Sequence, residues 1–195
     1  MEYLIPIVII TILIIVNGFF VAAEFALAGV PHTRIAQMAE DGSKQAQRIL
    51  SVVRDPDAIN RYLSTAQVGI TLASLGLGMY GEHAVAEWFL EPLEHLGWVG
   101  TAMAHTLATV IAVGLLTYLH VVLGEMIPKT LALQSAAKTV VALAPLMTLA
   151  ERLFRPLTYV LNGFGNAILR LLRIPPANAE ARLISSEELA YIVED

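Results

Sequence analysis

Two glutamates mark the ends of long uncharged runs: Glu24 closes the run 3–23 and Glu125 closes the run 99–124. A carboxylate near membrane depth is costly unless it faces protein, water or a cation, so each is a candidate for function. For Glu24 an interfacial residue at the end of a span is an equally good reading. Glu125 has more around it, in Gly124-Glu125-Met126-Ile127-Pro128-Lys129. A proline has no N–H, so the carbonyl four residues earlier, that of Gly124, loses its helical partner. The spacing therefore predicts a helix break at Pro128 and a bare carbonyl oxygen beside a carboxylate, a combination that suits an ion site at membrane depth. The other reading is a proline that ends the helix at the interface, with Lys129 reaching for the headgroups.

More oxygens share faces with these. Gln67, Thr71, Ser74 and Gly78 follow one another at i, i+4, i+7 and i+11, a single helical stripe. Asn17, Val21 and Glu24 form a second one. Such stripes are either hydrogen-bond glue between helices, helped by small residues that let backbones approach, or the lining of a cation path. Carboxylate, amide, hydroxyl and backbone oxygens suit a hard cation such as Mg²⁺ or Ca²⁺, whereas zinc or copper would want His or Cys. His105 and His120 are about 22 Å apart along a helix and cannot share an ion; both read as packing or interface residues. No nucleophile elbow, zinc-protease or nucleotide fingerprint is present, so no enzyme is expected.

The elements that must hold these oxygens follow from composition. Of 195 residues, 56% are hydrophobic and 15% charged, with a mean hydropathy of +0.66; soluble domains carry about 25% charged residues. The absence of cysteine excludes disulfides and thiolate metal sites, and a net charge of −5 offers no basic surface for nucleic acid. Three uncharged stretches, 3–23, 62–81 and 99–124, are each long enough to cross a bilayer. The first lacks a basic n-region and exceeds a signal-peptide core, so it reads as a retained span. Five lysines and arginines fall between the first two stretches, none in 82–98 and seven after the third. The positive-inside rule then puts the N-terminus outside and the C-terminal third in the cytoplasm. The segments 139–150 and 156–169 are too short to span and are flanked by Lys138, Arg152, Arg155, Arg170 and Arg173, which suits interfacial helices on the cytoplasmic leaflet; the other reading is a helical hairpin packed on the transmembrane core. A linker at 174–178 and a capping box from Ser185 to Glu188 open a last helix that stops at Asp195, as if a cytoplasmic part were missing.

The expected fold is an all-α membrane protein: three transmembrane helices (about 3–27, 62–81 and 99–127), juxtamembrane amphipathic helices (about 136–172) and the start of a cytosolic helical segment. Its domains are 1–173, in the membrane, and 174–195, linker and cytosolic helix.

Three motifs together resemble the CNNM/CorC family of membrane proteins. They are Asn17-Gly18-Phe19-Phe20-Val21-Ala22-Ala23-Glu24-Phe25, Gln67-Val68-Gly69-Ile70-Thr71-Leu72-Ala73-Ser74-Leu75-Gly76, and Gly124-Glu125-Met126-Ile127-Pro128-Lys129. The resemblance covers essentially the whole chain, in order. It implies a Mg²⁺ transporter of the inner (plasma) membrane, an exporter driven by inward Na⁺. It also implies a homodimer in the lipid bilayer and, in full-length relatives, cytosolic CBS domains that bind ATP. Carried over by position, Glu125 is the charged ligand and Gly124 gives a carbonyl, while Thr71 and Ser74 add hydroxyls and Gln67 stands on the same face. Many relatives have serine where this chain has Ala22 and Ala23, so backbone carbonyls there or Asn17 take the place of those hydroxyls. Glu24 is a ligand for the coupling Na⁺ or a structural carboxylate. The competing expectation is a Mg²⁺-sensing anchor or regulatory scaffold that moves no ion.

Overall fold

The computed structural model describes residues 3–95 and 100–172, and every regular element among them is helical. They run α1 (Leu4–Ala28), α2 (His32–Glu40), α3 (Lys44–Arg54), α4 (Pro56–Gly76), a π-helical turn (Leu77–Gly81) and α5 (Glu82–Glu94). After them come α6 (Thr101–Leu119), a second π-helical stretch (His120–Met126), α7 (Ile127–Gln134) and α8 (Ala136–Leu171). The chain divides into two compact units, Met1–Leu153 and Phe154–Asp195. In the second, the described residues are the last turns of α8.

Two helices among the described residues are long and apolar enough to cross a membrane: Leu4–Ala28, and the continuous run Thr101–Gln134 made of α6, the second π-stretch and α7. Their lengths, 25 and 34 residues, correspond to about 37 and 51 Å of helix, against a hydrocarbon core of about 30 Å. The expected middle span falls on α4 and the first π-turn. Its polar stripe lowers its hydropathy, so length and composition alone do not class it with the other two. Large apolar side chains stand exposed on α1 (Ile12, Ile15) and α6 (Val110, Val113), a surface that water would not tolerate over such an area.

Local chemistry explains the turns that lead into α3 and α4. Ser43 caps α3 by accepting from the Ala46 N–H at 3.2 Å, and Asp55 caps α4 by accepting from the Asp57 N–H at 2.9 Å, with Pro56 in the first turn. The segment after the first π-turn is the helix α5, and it packs back along α6. The alanines Ala104, Ala108 and Ala112, four residues apart and buried, mark one face of α6. Ile10, Ile14, Leu77, Val85, Ala112 and Leu116 form the apolar cluster joining α1, the first π-turn, α5 and α6.

Two expectations need correction. The segments 139–150 and 156–169 are not separate short helices, because α8 runs unbroken through both for 36 residues. Pro145 and Pro156 each remove one backbone hydrogen bond, and the turns around them carry the helix across. Nor is there a break at Pro128. The helix widens into the π-stretch His120–Met126, in which Ile127 N–H reaches back five residues to Val122 O, and α7 continues it. The extra residue per turn absorbs the missing proline donor. The linker at 174–178 and the capped helix at 185–188 lie outside the described residues.

Candidate functional site

Glycines set how closely the helices around the polar stripes approach. Gly69 of α4 lies directly on the Phe20 ring of α1, with no room for a Cβ. Gly18 of α1 faces the Pro128 ring, where a Cβ would come within 2.9 Å of Cγ. Shape alone therefore brings α1 against both α4 and the π-stretch before α7.

Asn17 sits where the three meet and is 1% exposed. Its amide Nδ2 donates to the Gly124 carbonyl at 2.9 Å. The Ser74 hydroxyl of α4 donates to Asn17 Oδ1 at 3.3 Å and lies 3.3 Å from His120 Nε2. The Gly124 carbonyl, whose donor in an α-helical register would be the N–H that Pro128 lacks, thus accepts from a side chain of α1. A Cβ on Gly124 would be tight, 3.1 Å from His120 Cδ2 and 3.2 Å from Asn17 Nδ2, so the ring or the amide would have to give by a few tenths of an ångström. Beside the network lies a cleft of about 450 Å³ whose polar lining is Ser74, Glu82, Thr117 and His120.

A second polar pair stands further along the same two helices. Gln67 Nε2 donates to Glu24 Oε1 at 3.4 Å, so the α1 and α4 stripes face each other at two levels. Close by, Lys129 of α7 holds its ammonium 4.3 Å from the centre of the Phe25 ring, a cation–π contact that ties α7 to the end of α1.

The structure brings Asn17, Ser74 and Gly124 together and keeps the other candidates apart from them. The Glu125 side chain is exposed and makes no hydrogen bond or ion pair among the described residues. Thr71 is exposed and returns its hydroxyl to the Gln67 carbonyl of its own helix at 2.8 Å. Ala23 is fully buried and Ala22 half-buried, and neither has a side chain that could ligate. Among the described residues no three His, Asp or Glu side chains come together. A cation at this level would be met by neutral oxygens, with Glu125 the adjacent carboxylate in sequence. His120 was missed by reasoning that looked for metal ligands. Its signal was the four-residue spacing to Gly124, which puts both on one helical face.

Outside the spans, the α3–α8 rim is built differently. Arg48 Nη2 lies 3.6 Å from Glu151 Oε2. Burial pushes the Glu151 carboxyl above its ordinary value, and the Arg48 and Arg61 guanidinium groups pull it back down.

A family model described as the cyclin M (CNNM) transmembrane N-terminal domain matches residues 8–195. The chain is 38% identical to the UPF0053 protein YhdT of Bacillus subtilis (strain 168), over 96% of this chain and 40% of that one. It is 36% identical to the UPF0053 protein YrkA of the same organism, over 98% and 43%. To the uncharacterized protein Rv1841c of Mycobacterium tuberculosis (strain ATCC 25618 / H37Rv) it is 36% identical, over 100% and 54%. The chain therefore spans between two fifths and about half of the length of these relatives.

Proposed function

The chain belongs to the CNNM family of transmembrane domains, and from that premise we propose that it carries a divalent cation across the membrane, exporting Mg²⁺ in exchange for Na⁺. The observation that carries the reading is the buried meeting of Asn17, Ser74 and the Gly124 carbonyl, oxygens from three different helical elements at membrane depth. Buried polar groups in a span are expensive, and a structure that concentrates them at one point supports an ion path there. In this reading α4 with the first π-turn is the third crossing, the N-terminus lies outside the inner membrane and the C-terminus in the cytoplasm. Glu125 supplies the one full negative charge and the neutral oxygens complete the shell. One carboxylate balances half the charge of Mg²⁺, which keeps binding weak enough for release. Glu24 with Gln67 is the candidate place for Na⁺. The working unit is a homodimer, attached to cytosolic CBS domains as the family resemblance implies.

Mg²⁺ flux in proteoliposomes, with and without a Na⁺ gradient, tests this for the wild type, Asn17→Ala and Glu125→Ala. Na⁺-dependent flux that both variants lose is the expected result. Flux unchanged in both would move the route away from this meeting point. A protein that Mg²⁺ stabilises but that passes no ion, even with its CBS domains attached, would be the sensor or anchor instead.

A further inference from the structure

His120 belongs to no ligand set above, yet its ring closes the network from the side of the second π-stretch, with Nε2 3.3 Å from Ser74 Oγ. Proton counting shows what that contact decides. Ser74 has one hydroxyl proton and two neighbours that can take it, Asn17 Oδ1 and His120 Nε2. When the proton goes to Asn17, the imidazole has to donate from Nε2. The bonds then run one way, from His120 to Ser74 to Asn17 to the Gly124 carbonyl, where the Asn17 amide arrives at 2.9 Å. In this arrangement each of the three oxygens accepts a hydrogen bond from its neighbour. A proton, not a cation, fills the 3.3 Å gap between Ser74 Oγ and Asn17 Oδ1.

A neutral imidazole has a second tautomer, protonated on Nδ1, in which Nε2 accepts. Ser74 then turns its proton to His120. The lone pairs of Ser74 Oγ and Asn17 Oδ1 are left facing each other, an arrangement that repels unless a cation stands between them. Their separation is close to the edge of an octahedron of oxygens at about 2.1 Å from Mg²⁺, which is about 3 Å. No net charge changes hands in this rearrangement. The proton that leaves Nε2 passes to water in the cleft beside the ring, and water returns one to Nδ1; the ring keeps its place because Gly124 lets His120 Cδ2 pack where a Cβ would stand 3.1 Å away.

We propose that His120 is the positioning residue of the cation site, its tautomer deciding whether Ser74 and Asn17 are bonded to each other or turned to a cation. The inference rests on the reading of the Asn17–Ser74–Gly124 meeting point as that site. It assigns the histidine no contact with the ion.

The test uses the full-length protein in lipid nanodiscs with ¹⁵N-labelled histidine and MgCl₂ as the probe. In the wild type, saturating Mg²⁺ should move one histidine from the Nε2–H to the Nδ1–H pattern, and that signal should be missing in His120→Gln. Mg²⁺ affinity, read from thermal stabilisation, should fall roughly tenfold in His120→Leu, about the worth of one hydrogen bond. In His120→Gln, whose carboxamide can both donate and accept, it should recover to within about threefold. A His120 signal that stays unchanged while Mg²⁺ stabilises the protein overturns the proposal and leaves the site standing, as does wild-type affinity in His120→Leu. If His120→Leu does not fold, the wild-type spectrum decides alone. If Mg²⁺ does not stabilise the wild type at all, the site reading fails and this inference falls with it.

Discussion

Asn17 and Arg48 both tie distant parts of the chain together, and they do it with opposite chemistry. At the level of Asn17 the partners are an amide, a hydroxyl, an imidazole and a backbone carbonyl, all neutral donors or acceptors. At the level of Arg48 the bond joins α3 to α8 through full charges, with the arginine side chain 46% and the glutamate 26% exposed. Burial separates the two cases. A neutral group loses little by leaving water if each of its bonds is replaced, whereas a charge without water loses far more than a partner returns. The deep region therefore has bonds whose loss is felt in full, and the rim has bonds that salt and water can replace.

The largest effect should come from Asn17→Leu, which leaves the buried Gly124 carbonyl without its side-chain donor and the Ser74 hydroxyl with His120 alone. It should destabilise the protein by about 1–3 kcal/mol and abolish Mg²⁺-dependent stabilisation, both readable from tryptophan fluorescence melts in detergent. A melt identical to wild type would mean the two regions do not differ as described. Gly124→Ala comes next. Its methyl group has to displace the His120 ring or the Asn17 amide, so about 1–3 kcal/mol of strain is expected, together with weakened Mg²⁺ binding by the same assay. Pro128→Ala gives the chain an N–H that can claim the Gly124 carbonyl from Asn17 and turn the π-stretch back towards an α-helix. A loss of Mg²⁺ affinity of roughly fivefold is expected, somewhat less than one hydrogen bond; unchanged affinity would show that the carbonyl takes no part in binding.

The rim should respond least. Arg48→Ala is expected to change stability by less than about 1 kcal/mol, and to lose even that at high salt. Its partner gives a sharper test through pH. Glu151 has a raised value when folded, so the native state holds more protons than the unfolded one between the ordinary and the raised value. Stability should therefore rise as pH falls through that window, and fall again as the carboxyl ionises on the way to neutral pH. Glu151→Gln should flatten this part of the profile and be neutral or slightly stabilising at pH 7. A variant profile that still follows the wild type would assign the titration to another group.

Much of this arrangement could be read from residue spacing, and the part that could not has a common cause. Spacing along one helix placed Asn17 on the Glu24 face and Ser74 on the Gln67 face, and proline chemistry singled out the Gly124 carbonyl. Which of these would touch depended on the distance between helices, which Gly18 and Gly69 set by what packs on them. That is why Glu125 and Thr71 carry the same sequence signals as their neighbours and yet stand exposed. The π-stretch was hidden for a related reason. A proline in sequence predicts a lost bond, but whether the chain breaks or widens there depends on the packing around it, here Gly18 against the Pro128 ring. In α8 the charges between the two apolar segments, Arg152 and Arg155, suggested two helices, and the chain made one.

The bond from Asn17 to Gly124 joins residues 107 positions apart in the chain, which bears on how the protein is made. At about 5–20 residues per second of synthesis, the first span waits roughly 5–20 s before its acceptor has been translated. Through that interval the Asn17 amide, which follows the long apolar run of α1, has no carbonyl to meet. Lipid would be a poor host for it, so the first helix has reason to stay beside the insertion machinery, or close to water, until the helix that carries Gly124 arrives.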